Sequence, residues 1–241
     1  MSIYDAEMPN IVVGTYGEAE VEYIDFEESY KLSYKGVPWM GTDKYFIAGK
    51  DLLHSQFDLA YGDVLLTGLG FGILAKALCQ KPGVTSVTVI ELNQDVIDAY
   101  LTHNELDEKM VIVKDDASHY TPDREFDCLL PDHYELQTLN WTIKDMNKIA
   151  ERIGHKVFWP WSIEEIFLMK MYPKETYKQT STKFLELYTA ELPEKWREFI
   201  DTYFNKNSYL ASISDDKLVE YVAKYAPYYY DRDIKQTDWA Y

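Results

Sequence analysis

The chain has 241 residues, of which 46% are hydrophobic and 27% charged, a globular composition rather than a disordered or fibrous one. No apolar run approaches the roughly 18 residues that a membrane span needs. A formal net charge of −17 disfavours direct binding of nucleic acid, because no dense basic patch offsets repulsion from the phosphates.

The opening MSIYDAEMPN has no basic start and no apolar segment, so no secretory leader is expected. Cys79 and Cys128 lie in apolar runs and read as reduced core residues, the pattern of a cytoplasmic protein. No Cys/His cluster has zinc spacing, and no metal is expected. The acids are scattered, as on a solvated surface.

Residues 1–60 read as a β-rich region. In EAEVEYID, Ala19, Val21 and Tyr23 alternate with Glu18, Glu20 and Glu22; in SYKLSYKG, Tyr30, Leu32 and Tyr34 alternate with Lys31, Ser33 and Lys35. Period two with one apolar face marks half-buried strands. Gly36 and Pro38 then supply turn chemistry, placing GVPWMG in a turn with Trp39 either packing or walling a pocket. GKDLLHSQFDLA reads as a short helix.

From 61 to 161 the pattern changes to strands alternating with helices. VLLTG is a short apolar strand, followed at helical spacing by Ile73, Leu74, Ala77 and Leu78. SVTVIEL is a second strand, and Asn93 is placed to cap a helix with Val96, Ile97, Tyr100 and Leu101 on its apolar face. MVIVKD and FDCLLPD are two more strands. Leu139, Ile143, Met146, Ile149 and Ile153 form a helical stripe ending at Gly154, and HKVFWP is a fifth strand. Such alternation predicts βαβ units and a Rossmann-like parallel sheet in an α/β fold. Residues 162–241 read as a helical C-terminal region. Ser162 and Glu165 fit a capping box, and further apolar faces fall on Trp196–Phe204 and Leu218–Tyr225.

Gly68, Gly70 and Gly72 lie between the first strand of this section and its helix. Glycines at that turn let backbone approach a ligand at the carboxyl end of a sheet. The spacing is G-x-G-x-G rather than the dinucleotide G-x-G-x-x-G, and no Lys-Ser or Lys-Thr pair follows, so neither an NAD fingerprint nor a P-loop is present. Glu91 ends the second strand, twenty-one residues beyond Gly70. A carboxylate there suits the two hydroxyls of a ribose. In VKDDASHY, Asp116, with Asp115 beside it, either accepts from an adenine amine or caps the next turn.

The segments DVLLTGLGFG, VTSVTVIELNQDVIDAY, MVIVKDDA and EFDCLLPD together resemble class I S-adenosylmethionine-dependent methyltransferases, in particular the spermidine synthase-like branch. The resemblance covers about residues 63–135 and extends more weakly over the N-terminal strands. It implies S-adenosylmethionine as cofactor. Gly68, Leu69, Gly70 and Gly72 would face its adenosyl and methionine portions, Glu91 and Leu92 its ribose, and Asp115, Asp116 and Ala117 its adenine. Asp132 stands where polyamine synthases carry a catalytic carboxylate. Leu66 replaces an acid common two residues before the first glycine. Phe71 replaces the acid that spermidine synthases place between the second and third glycines, and a second fourth-strand acid is absent.

Asp132, His133 and Tyr134 make the expected acceptor site: a carboxylate to attract a cationic amine, an imidazole near neutral pH, and a phenol beside them. The expected function is methyl transfer to a small, amine-type molecule, with no nucleic-acid or membrane partner. The alternatives are aminopropyl transfer and a non-catalytic nucleotide-binding or interaction protein that kept the fold. The oligomeric state is open, a homodimer being one form.

Overall fold

Alternating strands at the start of the chain pair in order into an antiparallel sheet, β1 (Gly14–Tyr16), β2 (Ala19–Ile24), β3 (Ser29–Tyr34) and β4 (Val37–Asp43). The register sets Ala19 opposite Tyr34, Val21 opposite Leu32 and Tyr23 opposite Tyr30, so the apolar residues share one face. Ala19, Val21 and Leu32 on that face are buried. The structure is a computed structural model and describes residues 1–133, 139–161, 163, 205–218, 220, 221 and 224.

β4 corrects the expectation of a turn over GVPWMG. Only Lys35 and Gly36 form the turn, both with positive φ (52° and 74°), the geometry of a tight two-residue hairpin. Pro38 sits inside β4, where an edge strand tolerates the missing N–H. Leu32 faces Met40 while Ser33 faces Pro38, so Trp39 is the extra residue of a bulge. Its ring packs on Tyr34 with centroids 4.7 Å apart.

After α1 (Ile47–Leu59), strand and helix alternate: β5 (Gly62–Thr67), α2 (Ile73–Gln80), β6 (Val84–Glu91), α3 (Gln94–Leu101), β7 (Met110–Lys114), β8 (Phe126–Pro131), α4 (Leu139–Arg152) and β9 (His155–Phe158). All five strands run parallel, in the order β7-β6-β5-β8-β9. This is a Rossmann-like α/β sheet with a separate antiparallel N-terminal sheet. Short apolar runs become central strands because a parallel strand is buried on both faces. Val64, Leu65 and Leu66 of β5 and Cys128, Leu129 and Leu130 of β8 are all buried.

The helical stripes hold in part. Ile73, Leu74, Ala77 and Leu78 are buried on α2, and Val96, Ile97 and Tyr100 on α3, but Leu101 is 42% exposed. Asn93 occupies the N-cap of α3, yet its side chain makes no capping bond; it turns back to Glu91. Cys79 and Cys128 are buried and unbridged.

The β1–β2 turn seats on α3. Glu18 N–H donates to Asp95 Oδ2 at 2.9 Å, and the Tyr16 hydroxyl lies 2.9 Å from His103 Nε2.

The chain divides into two units, 1–161 and 162–241. The first holds both sheets. In the second, α5 (Ser208–Ser212) is capped by the Asn207 side chain, which accepts from Leu210 N–H at 3.0 Å. The Ser162/Glu165 capping box and most of the C-terminal apolar faces lie outside the described residues.

Candidate functional site

Parallel strands end at one edge, so the carboxyl tips of β5, β6, β7 and β8 bring Gly68, Glu91, Asp115 and Asp132 to the same rim. β5 is the middle strand, with β6 on one side and β8 on the other. The chain order reverses there, and the crevice at such a switch point is where open α/β sheets take ligands.

The glycine loop leaves β5 with Gly68 at φ 89°, Gly70 at φ 51° and Gly72 at φ 76°. Gly68 is required twice over: its φ is left-handed, and an added Cβ would lie 2.2 Å from the Asp132 carbonyl oxygen. Gly72 serves as N-cap of α2, and a Cβ there would lie 2.3 Å from the Tyr100 ring. At Gly70 the neighbour is Met40 Sδ, 2.4 Å from the added atom. In all three cases the direction left open by the missing side chain is filled by protein. The close approach that these glycines permit is to the β8 tip, to α3 and to β4.

Glu91 is 6% exposed, and both of its oxygens are engaged. Oε2 accepts from Leu69 N–H at 2.9 Å, and Oε1 from Asn93 N–H at 2.8 Å and from Asn93 Nδ2 at 3.4 Å. The carboxylate thus ties the glycine loop to the start of α3. A carboxylate has about four lone-pair sites, so acceptor capacity remains after the two backbone bonds. Leu69 is buried, whereas Leu92 is 53% exposed.

At the β7 tip the capping reading is realised. Asp116 Oδ1 accepts from Ser118 N–H at 2.8 Å, and Oδ2 lies 3.0 Å from His119 Nδ1. The Asp116 carbonyl accepts from His119 and Tyr120 N–H at 2.9 and 2.8 Å, closing one helical turn. Partial burial pushes the Asp116 carboxyl up, but the bonds from Ser118 and His119 outweigh it and hold the group below its ordinary value. Asp115 is exposed and binds Asp116 N–H; Ala117 is buried.

At the β8 tip, Asp132 N–H donates to the Thr67 carbonyl at 2.8 Å, continuing the ladder beyond Pro131. The Asp132 side chain is only partly open to solvent, and among the described residues no donor reaches its carboxyl. Desolvation pushes that carboxyl up to about 8. His133 Nδ1 pairs with the Thr67 hydroxyl. Tyr134 lies outside the described residues.

The structure therefore gathers Gly68, Leu69, Glu91, Asp132 and His133 around the switch point, and sets Asp115, Asp116 and Ala117 one strand further out. Sequence reasoning missed Thr67, Met40 and Tyr100. Thr67 carried a signal, being the polar residue that ends the apolar run Val64–Leu66; Tyr100 is an ordinary member of an apolar helix face, and Met40 fell in the expected GVPWMG turn. Among the described residues no group of His, Cys, Asp and Glu could hold a metal ion, and no helix is long and apolar enough to cross a membrane.

Five parallel strands with the glycine loop on the middle one and an acid at the tip of the next decide the architecture. The fold is a Rossmann-like open α/β sheet. No protein-family model and no curated protein sequence matches the chain. Solved structures do overlap it. A DhpI–SAH complex is 18% identical with a TM-score of 0.36, covering 44% of this chain and 52% of that one. A spermidine synthase from Thermotoga maritima is 18% identical with a TM-score of 0.44, covering 62% and 55%. An S-adenosylmethionine-dependent methyltransferase from Clostridium acetobutylicum is 20% identical with a TM-score of 0.33, covering 43% and 44%. The overlaps span about half the length of those chains.

Proposed function

We propose that this protein is an S-adenosylmethionine-dependent transferase, with methyl transfer to a small amine-type acceptor as its reaction. The observation that carries the reading is the buried Glu91 carboxylate, anchored to the glycine loop yet with lone pairs to spare, at the switch point of the sheet. That acceptor fits an adenosine ribose, because a carboxylate at a strand tip accepts from two adjacent hydroxyls. When bound, S-adenosylmethionine supplies an electrophilic carbon on a sulfonium.

The chain's own residues do the rest. Glu91 and Leu69 fix the ribose end, with Gly70 and Gly72 along the loop. Asp115, Asp116 and Ala117 border the base. Asp132 draws a cationic acceptor to the β8 tip; a neighbouring positive charge lowers its raised carboxyl and leaves an anion that takes the amine proton. His133, held through Nδ1 by Thr67, orients the same end of the site. The net charge of −17 weighs against a nucleic-acid acceptor.

A second reading is favoured by a specific observation. The directions left free at Gly68, Gly70 and Gly72 are filled by protein, and both Glu91 oxygens already hold backbone. Such a site also suits a protein that kept the fold and lost transfer. Aminopropyl transfer is weaker, since Phe71 stands where an acid would hold the amine.

Titration calorimetry with S-adenosylmethionine and S-adenosylhomocysteine tests the proposal. Saturable binding of both, weakened at least tenfold in Glu91→Ala, supports it. Binding of neither leaves the non-catalytic reading.

A further inference from the structure

The loop that would border the adenine is fixed from outside. Residues 116–120 form one turn whose N-terminal end is closed by the Asp116 carboxylate on Ser118 N–H. Its carbonyl end is closed from α4: Arg152 Nε donates to Tyr120 O at 2.9 Å, and Arg152 Nη2 to Ala117 O at 2.6 Å. A guanidinium presents its donors in a rigid planar fork, so two carbonyls held at once set both the distance and the orientation of the turn. Ala117 is buried, and its carbonyl is one of the two.

We infer that Arg152, at the end of α4 and far from the rim in sequence, is the positioning residue for base recognition, holding the 116–120 turn so that its Asp116 end meets the exocyclic amine of an adenine. The inference rests on the cofactor reading above. The turn follows β7 directly, so a shift of about an ångström at Ala117 moves the Asp116 carboxylate against a base that the rest of the rim still holds. Arg152 touches neither base nor sugar; it acts through the turn.

The test is calorimetry on the full chain with two ligands, S-adenosylhomocysteine and its analogue bearing hydrogen in place of the exocyclic amine. The wild type is expected to prefer the aminated ligand at least fivefold. In Arg152→Met, with folding checked by thermal melt, that preference falls toward unity while the analogue binds as before. Arg152→Lys carries the same test should the methionine variant fail to fold, because one ammonium does not reproduce the two-carbonyl fork and the preference falls there as well. A general loss of affinity for both ligands in equal measure marks a merely structural role and overturns the inference, as does an unchanged preference. Wild type that binds neither ligand overturns the cofactor reading itself, and this inference with it.

Discussion

The Leu69 backbone N–H donates to Glu91 Oε2 at 2.9 Å, joining the glycine loop of β5 to the tip of β6 through one buried carboxylate. The other oxygen receives Asn93 N–H at 2.8 Å, so Glu91 faces a donor on each side. Glu91→Gln puts an amide N–H against one of them whichever way it turns. The expected cost is about 1–3 kcal/mol, that of leaving a buried group unsatisfied, together with at least tenfold weaker binding of S-adenosylhomocysteine. Chemical denaturation and calorimetry measure the two, and a variant unchanged in both contradicts the geometry.

Gly68 and Gly83 share a φ of 89°, but an added Cβ lies 2.2 Å from the Asp132 carbonyl at Gly68 and meets nothing within 4 Å at Gly83. Gly83→Ala therefore isolates the backbone strain, about 1–3 kcal/mol. Gly68→Ala adds a forced displacement of the β8 tip, costing about a further 1–3 kcal/mol. Equal melting temperatures for the two variants would show that the loop and the β8 tip are not packed as described.

Asp132 gives a pH signature. Its carboxyl moves from 3.8 in the unfolded chain to about 8 in the fold, through desolvation. Between those values the folded state holds a proton that the unfolded state releases. The associated stability is complete below about pH 4 and is lost as pH rises through about 8. Asp132→Asn keeps the neutral shape at every pH. The variant is expected to match the wild type near pH 4 and to become relatively more stable up to about pH 8, with the difference level thereafter. Denaturation curves at pH 5, 7 and 9 measure it; a difference that does not change with pH contradicts the raised carboxyl.

Gln56 is fully buried on α1, and its Nε2 donates to Pro131 O at 3.3 Å and to Trp159 O at 3.2 Å. These carbonyls terminate β8 and follow β9, and the first immediately precedes Asp132. Gln56→Met keeps the bulk and removes both donors. A loss of about 1 kcal/mol in denaturant unfolding is expected, because the Pro131 carbonyl keeps its bond from Trp161 N–H and the variant also removes the buried, unpaired Gln56 Oε1. A variant as stable as the wild type would show that the strand tips do not depend on this amide.

The parallel sheet was legible because each of its strands is a short β-branched or apolar run, and no other period competes within VLLTG, SVTVIEL or FDCLLPD. β4 was not, since Gly36 just before it and Pro38 and Gly41 within Val37–Asp43 carry turn chemistry, while the edge position and the bulge at Trp39 absorb them. The three loop glycines announced a close approach but not its partner. A missing Cβ leaves the same mark in sequence whether a ligand or Asp132, Tyr100 or Met40 fills the space. Asp116 shows the same ambiguity, because an acid two residues before Ser118 reads as an adenine acceptor and as a turn cap alike, and hydrogen bonding to its own turn is what the fold displays.

The most direct measurement is a crystal structure grown with S-adenosylhomocysteine. Both ribose hydroxyls are expected within hydrogen-bond distance of the Glu91 carboxylate while Leu69 N–H keeps its bond to Oε2. Ligand density lying away from the β6 tip, or a rim that stays empty at saturating ligand, would contradict this placement.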